Sequence, residues 1–248
     1  MQAQQPAASH LSSTPLLEQH KAAGAEIGEF FGVRLPARFG DFEAEYRAAL
    51  SACVLVDTNF KAIFAFSGPD RNRYLNAILT SNVRDLQPGQ GALGLLLTPQ
   101  GHILAEIETY ALADRILAVS HAVARERTFS TLEKFIIMDD VALEDITSST
   151  GTLALVGPRT GDVVSQVSGA DLSALPAFSH TEATIGSIPC RIVHHTWGNL
   201  PAATLIVGRE HVAALWAVLE PSLREHGGAP AGLESLNSVR LESGVAWF

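Results

Sequence analysis

In residues 103–110, ILAEIETY, side chains alternate across the two faces of an extended chain. Ile103, Ala105, Ile107 and Thr109 share one face, and Leu104, Glu106, Glu108 and Tyr110 share the other. The segment ahead, ALGLLLTPQGH, completes a two-stranded hairpin around Pro99, Gln100 and Gly101. FKAIFAFSG and DRILAVSH also predict strands, and GPDRNRYLNAILTSNV predicts a turn and a helix. Asp70 is placed to cap that helix, with Tyr74, Leu75, Ile78 and Leu79 as its apolar stripe. RERTFSTLEKFII predicts a helix running into the strand VALEDIT. The order from Phe60 to Thr147 is therefore β-α-β-β-β-α-β, a split βαβ pattern with one extra strand in an antiparallel α+β arrangement.

The flanks repeat a similar mixture. Thr14-Pro15 opens an amphipathic helix with Leu16, Leu17 and His20, then GEFFGVRLPARFGD predicts a strand pair and FEAEYRAALSACV a helix. Further on, TLALVGP is a strand, RTGDVVSQVSG a helix, and PCRIVHHTW with AATLIVG a strand pair. REHVAALWAVLEPSLREHG carries Val212, Leu215, Trp216, Leu219 and Leu223 on one helical stripe, and a last helix begins in GLESLNSVRLESG. Residues 1–13 are polar and Ala/Pro/Ser-rich and are expected to be disordered. Trp247 and Phe248 are large apolar residues with nothing after them to pack against, so the chain reads as cut short.

With 248 residues, 47% of them hydrophobic and 17% charged, the chain fits one large or two smaller globular domains. A net charge of -9 gives no general attraction for nucleic acid or an anionic membrane, so an anionic ligand needs locally placed Arg or Lys. Cys53 and Cys190 are isolated from each other and from any Cys/His spacing for a metal, which suits buried thiols in a reducing compartment. There is no signal-peptide pattern and no membrane-length apolar run, so a cytoplasmic location is expected.

Candidate chemistry centres on Glu106, a strand carboxylate placed either on wet surface or on the wall of a pocket, where it would accept hydrogen bonds or handle a proton. Alternation alone favours the solvated face. Asp139, Asp140, Glu144 and Asp145 lack the spacing of a calcium loop and read as solvated acids at a helix-to-strand corner. His194 and His195 are adjacent in a strand and face opposite sides, while His102 and His121 fall in separate strands. SGPDRNR has neither phosphate-loop spacing, and Arg71, Arg73 and Arg84 read as solvated.

Several stretches taken in order carry a resemblance. TPLLEQHKAAGAEIGEFFGVRLPARFGDFEAEYRAALSACVLVDTNF is similar to the opening of the tetrahydrofolate-binding family that includes the glycine-cleavage T protein, an aminomethyltransferase, and its YgfZ-like relatives. FSGPDRNRYLNAILTSNVRDLQPGQGALGLLLTPQGHILAEIETY resembles that family's core signature, LALVGPRT resembles LALQGP, and GAPAGLESLNSVRLESGV resembles G.PAGL.A.D..RLEAG. The resemblance implies an α+β fold of two ferredoxin-like units, residues 14–54 with 148–248 and residues 55–147, with the family's C-terminal barrel domain absent. It implies tetrahydrofolate as ligand and places the family's catalytic aspartate on Glu106, one methylene longer. Leu93, Tyr110 and Ser120 are implied to line the cavity, and Arg240 to meet the anionic glutamate tail.

The departures point within the family. Leu236 and Asn237 replace an Arg-Asp pair, and TWGNLPAAT has lost the glutamates of the family's TGYTGE-GFE segment. The expectation is a YgfZ-like folate-binding protein supporting iron–sulfur cluster assembly or repair, with iron–sulfur proteins as partners. The alternatives are an aminomethyltransferase acting with a lipoyl carrier protein, and a non-catalytic scaffold.

Overall fold

The structure is a computed structural model that describes residues 12–172 and 175–247. The chain opens with β1 (Ser12–Ser13), α1 (Leu17–Ala22) and the hairpin β2 (Glu26–Phe30) and β3 (Val33–Arg38). β1 pairs parallel to β3, so Ser12 and Ser13 belong to a strand rather than to a disordered tail, and the rest of that expected tail lies outside the described residues. Next come α2 (Phe42–Ser51) and β4 (Val54–Asp57). The Asp41 carboxylate caps α2 by accepting from the Ala44 N–H at 2.9 Å.

The middle of the chain follows the predicted order: β5 (Lys61–Ser67), α3 (Arg71–Ile78), β6 (Gly91–Leu97), β7 (Ile103–Ala111), β8 (Ile116–His121), α4 (Arg125–Lys134) and β9 (Ala142–Asp145). These strands form one antiparallel sheet in the order β6-β7-β8-β5-β9. Its outer face packs on α3 and α4 through Phe64, Phe66, Tyr74, Leu75, Ile107 and Leu132. Asp70 does not cap α3; its carboxylate accepts the Asp140 N–H at 2.9 Å and pairs with Arg73 at 3.2 Å, tying the helix start to the segment before β9.

The remainder forms β10 (Thr150–Val156), α5 (Thr160–Ser168), β11 (His180–Ile185), β12 (Ile188–Trp197), β13 (Leu200–Gly208), α6 (Val212–Glu225), β14 (Ala229–Pro230) and α7 (Leu233–Glu242). They join β4 in a six-stranded sheet ordered β11-β12-β13-β10-β4-β14. β4 thus straddles the expected 54/55 boundary and pairs wholly with this sheet. The α6 stripe of Val212, Leu215, Trp216, Leu219 and Leu223 packs with Val163 and Val164 of α5 on one face. Each such side chain contributes roughly 1.5–3 kcal/mol when buried. Gly157 ends β10 at a φ of 132°, where a Cβ would stand 2.5 Å from the Ala52 carbonyl, so only glycine lets the end of α2 approach.

The inner faces of the two larger sheets meet through Ile63, Ala65, Tyr110, Leu117 and Val119 on one side and Val193 and Ile206 on the other. The result is four layers, helix, sheet, sheet, helix. A third cluster, under α2, α7 and the small sheet of β1-β3-β2, closes one side of the six-stranded sheet. No helix among the described residues is long and apolar enough to cross a membrane.

Candidate functional site

At one end of the sheet-to-sheet interface the apolar filling stops and a cavity of about 350 Å³ opens. Strand alternation explains which residues reach it. On β5 the face of Ile63 and Ala65 continues into Lys61, and on β8 that of Leu117 and Val119 continues into His121. On β7 the face of Tyr110 continues into Glu108 and Glu106, and β6 adds Leu93, the cross-strand partner of Glu108. Opposite, β12 and β13 supply His195, Trp197 and Thr204. Phe178, Arg240 of α7 and residues 245–247 close the rim.

The two glutamates differ sharply. Glu108 is saturated: Lys61 Nζ donates to it at 2.9 Å and the Tyr110 hydroxyl donates to its other oxygen. Burial pushes its carboxyl up, but the charges of Lys61 and His195 and the hydrogen bonds from Lys61 and Tyr110 outweigh that and bring it down to about 2. The same burial and carboxylate push the Tyr110 phenol well above its ordinary value. Glu106 makes no side-chain hydrogen bond or ion pair among the described residues. Its carboxyl is raised, first by burial and then by Glu108, against the pull of Lys61.

His195 presents its ring to the cavity with both nitrogens occupied. Nδ1 lies 3.0 Å from the Thr196 carbonyl and Nε2 2.7 Å from the Thr204 hydroxyl. A carbonyl oxygen only accepts, so Nδ1 carries the proton and the neutral ring's Nε2 accepts from Thr204. Burial lowers this imidazole's pKa against the pull of Glu108, favouring the neutral form. Arg240 lies across the Trp247 ring at 4.2 Å and donates to Asn237 Oδ1 at 3.0 and 2.6 Å and to the Val245 carbonyl. It makes no ion pair among the described residues, so its charge is available to an anion.

Of the residues singled out from sequence, Glu106, Leu93 and Arg240 line the cavity together. Tyr110 shares the face of Glu106 but is buried deeper, where it reaches the cavity only through Glu108. Ser120 points to the opposite face of β8, and its hydroxyl donates to the Glu106 backbone carbonyl at 2.9 Å. Trp247 is not without packing: it meets Phe31 at 4.9 Å, Trp197 at 6.1 Å and Arg240. Lys61 escaped the sequence reading, and His195, noted there as one of two adjacent strand histidines, reads from sequence as a surface or half-buried residue and not as part of a site. A lysine heading the otherwise apolar strand KAIFAFS, in phase with Ile63, was the available signal for the first.

Elsewhere, Asp139 pairs with Arg73 at 2.7 Å and Asp145 with Arg125 at 2.7 Å, so two of the four clustered acids are engaged in ion pairs. No group of three or more His, Cys, Asp or Glu gathers as a metal site among the described residues. His102 lies in the turn before β7, not in a strand.

Fold and site together define an α+β protein whose two facing, mainly antiparallel sheets hold a polar, aromatic-rimmed cavity. The family model of the GCVT N-terminal domain matches residues 16–248, and the chain belongs to that family. It is 28% identical over 238 residues to an aminomethyltransferase of Rubrobacter xylanophilus, covering 96% of this chain and 63% of the relative. It is 27% identical over 241 residues to an aminomethyltransferase of Chlorobium phaeobacteroides, covering 96% of this chain and 66% of the relative. The fold matches glycine cleavage system aminomethyltransferase T of Bartonella henselae with a TM-score of 0.85 at 24% identity, over 95% of this chain and 63% of that one. The chain therefore spans 63% and 66% of the length of these two curated relatives.

Proposed function

We propose that the cavity binds a reduced folate and that the chain is the folate-binding part of an aminomethyltransferase-like protein. The observation that carries this is the Glu106 carboxylate, half-buried on the cavity wall without a hydrogen-bond partner among the described residues. A pterin offers adjacent ring N–H and amino donors, which a carboxylate accepts as a charge-assisted pair. Trp197, Trp247 and Phe178 supply flat apolar walls, and Arg240 supplies the cation for the glutamate tail. The donor set thus fits a reduced folate, whose chemistry is to carry a one-carbon unit. The two larger sheets are read as the two ferredoxin-like units of this fold, with the boundary moved to follow β4. The relatives, aminomethyltransferases by name, favour this reading over the YgfZ-like one.

One observation favours the second reading, a YgfZ-like folate protein serving iron–sulfur enzymes. Segment 196–204 gives the cavity Thr196, Trp197, Gly198 and Thr204, and no carboxylate. Titration with 5-formyl-tetrahydrofolate, followed by the emission of the two cavity tryptophans, tests folate binding. Tetrahydrofolate and an aminomethyl-loaded lipoyl carrier protein then separate the two readings. Ammonia release supports the transferase, binding without release supports the YgfZ-like protein, and no binding overturns both in favour of a scaffold.

A further inference from the structure

On the cavity floor, beside the Glu106 carboxylate and the buried Thr58 hydroxyl, the Lys61 ammonium is only partly satisfied. Its ammonium has three donors, and Glu108 is its single hydrogen-bond partner among the described residues. The stem is fixed: the backbone of Lys61 is paired with His121 of β8, the N–H of Lys61 donates to the Thr58 carbonyl at 3.2 Å, and Nζ lies 5.8 Å from the Phe60 ring centroid. The side chain is only 14% exposed, so its two remaining donors face a confined space and not open water. That space is the cavity that Glu106 lines.

Lys61 and Glu106 project from the same sheet face, on β5 and β7 with β8 between them. The two do not form an ion pair, although the Lys61 charge acts on the Glu106 carboxyl. The floor therefore presents an unpartnered acceptor and a partly satisfied donor on one face, with His121 of β8 on the strand between them. A ligand matching it shows two N–H donors and then an acceptor along one edge. The 2-amino-4-oxo edge of a pterin has that order: amino group, ring N–H, carbonyl oxygen.

We propose that Lys61 is a specificity-determining residue of the cavity, donating to the 4-oxo group of the pterin whose amino and ring N–H groups meet Glu106. Its ligand class rests on the folate proposal above. Glu108 holds the ammonium in place through one of its three donors and leaves the others to the ligand. A 4-amino ring presents N–H groups to the ammonium in place of a carbonyl, and the site discriminates against it.

The test compares two ligands that share a p-aminobenzoylglutamate tail, 5-formyl-tetrahydrofolate and a 2,4-diaminopteridine. Lys61→Met alone strands the Glu108 charge, so the paired variant Lys61→Met/Glu108→Leu is used, with a melting curve to verify folding. Removing both partners of an ion pair together is tolerated far better than removing one. The variant should lose about 10- to 100-fold in affinity for the 4-oxo ligand, the size expected of a hydrogen bond to a charged group, with little change for the 4-amino ligand. Equal losses for both ligands, or no loss for either, overturn the role of Lys61 while leaving folate binding intact. Failure of the wild-type chain to bind either ligand overturns the folate proposal, and the role of Lys61 with it.

Discussion

The same five strands, β5, β7, β8, β12 and β13, build both ends of the interface between the two larger sheets, and the ends behave oppositely. At the closed end Ile63, Leu117, Val119, Val193 and Ile206 fill the space at high packing density. Two residues further along the same faces, the side chains become Lys61, His121, Glu108 and His195, and the interface opens. The closed end is where stability is made. At the open end, stability is forgone, because polar groups there are withdrawn from water and one of them, Glu106, receives no side-chain hydrogen bond in return among the described residues. Position along a strand, more than position in sequence, separates core residues from cavity residues here.

Substitutions at the two ends should separate stability from binding. The largest effect belongs to the closed end: Ile63→Ala should destabilise by about 2–5 kcal/mol in denaturant melts, with affinity per folded molecule unchanged. At the open end, Glu106→Ala should weaken 5-formyl-tetrahydrofolate binding by about 1.5–3 kcal/mol in calorimetry without lowering stability. Glu108→Gln should cost about 1–3 kcal/mol of stability, because the buried Lys61 ammonium loses its countercharge.

In the pH dependence the two glutamates have opposite signs. The folded state raises Glu106 above its ordinary 4.5, so it binds that proton more tightly than the unfolded state, and stability falls as pH rises through that window. Glu106→Gln should remove the fall. The folded state lowers Glu108 from 4.5 to about 2, so its contribution is present above pH 4.5 and is lost as pH drops toward 2. Glu108→Gln should flatten the acid limb in urea melts run between pH 2 and 7.

The element order from Phe60 to Thr147 was legible because turns punctuate it and each strand or helix keeps its own period. β4 was missed because VLVD follows α2 as one apolar run, and all four residues are buried in the middle of a sheet, so no alternation shows. Glu106 was visible only as an ambiguity. Alternation gives its face but not what lies against that face, and β12, which covers it, begins more than eighty residues further along the chain. His195 was hidden for the same reason. Ser120 was drawn in through the family resemblance, and strand parity puts it on the far side of β8.

The most direct measurement is a calorimetric titration of the wild-type chain, Glu106→Ala and Glu108→Gln with 5-formyl-tetrahydrofolate, each variant melted beside it. Saturable wild-type binding, lost in folded Glu106→Ala and weakened less in a less stable Glu108→Gln, is the result expected of one carboxylate that meets the ligand and one that holds Lys61. Equal affinity of wild type and Glu106→Ala, or absence of wild-type binding, would contradict a folate cavity at Glu106.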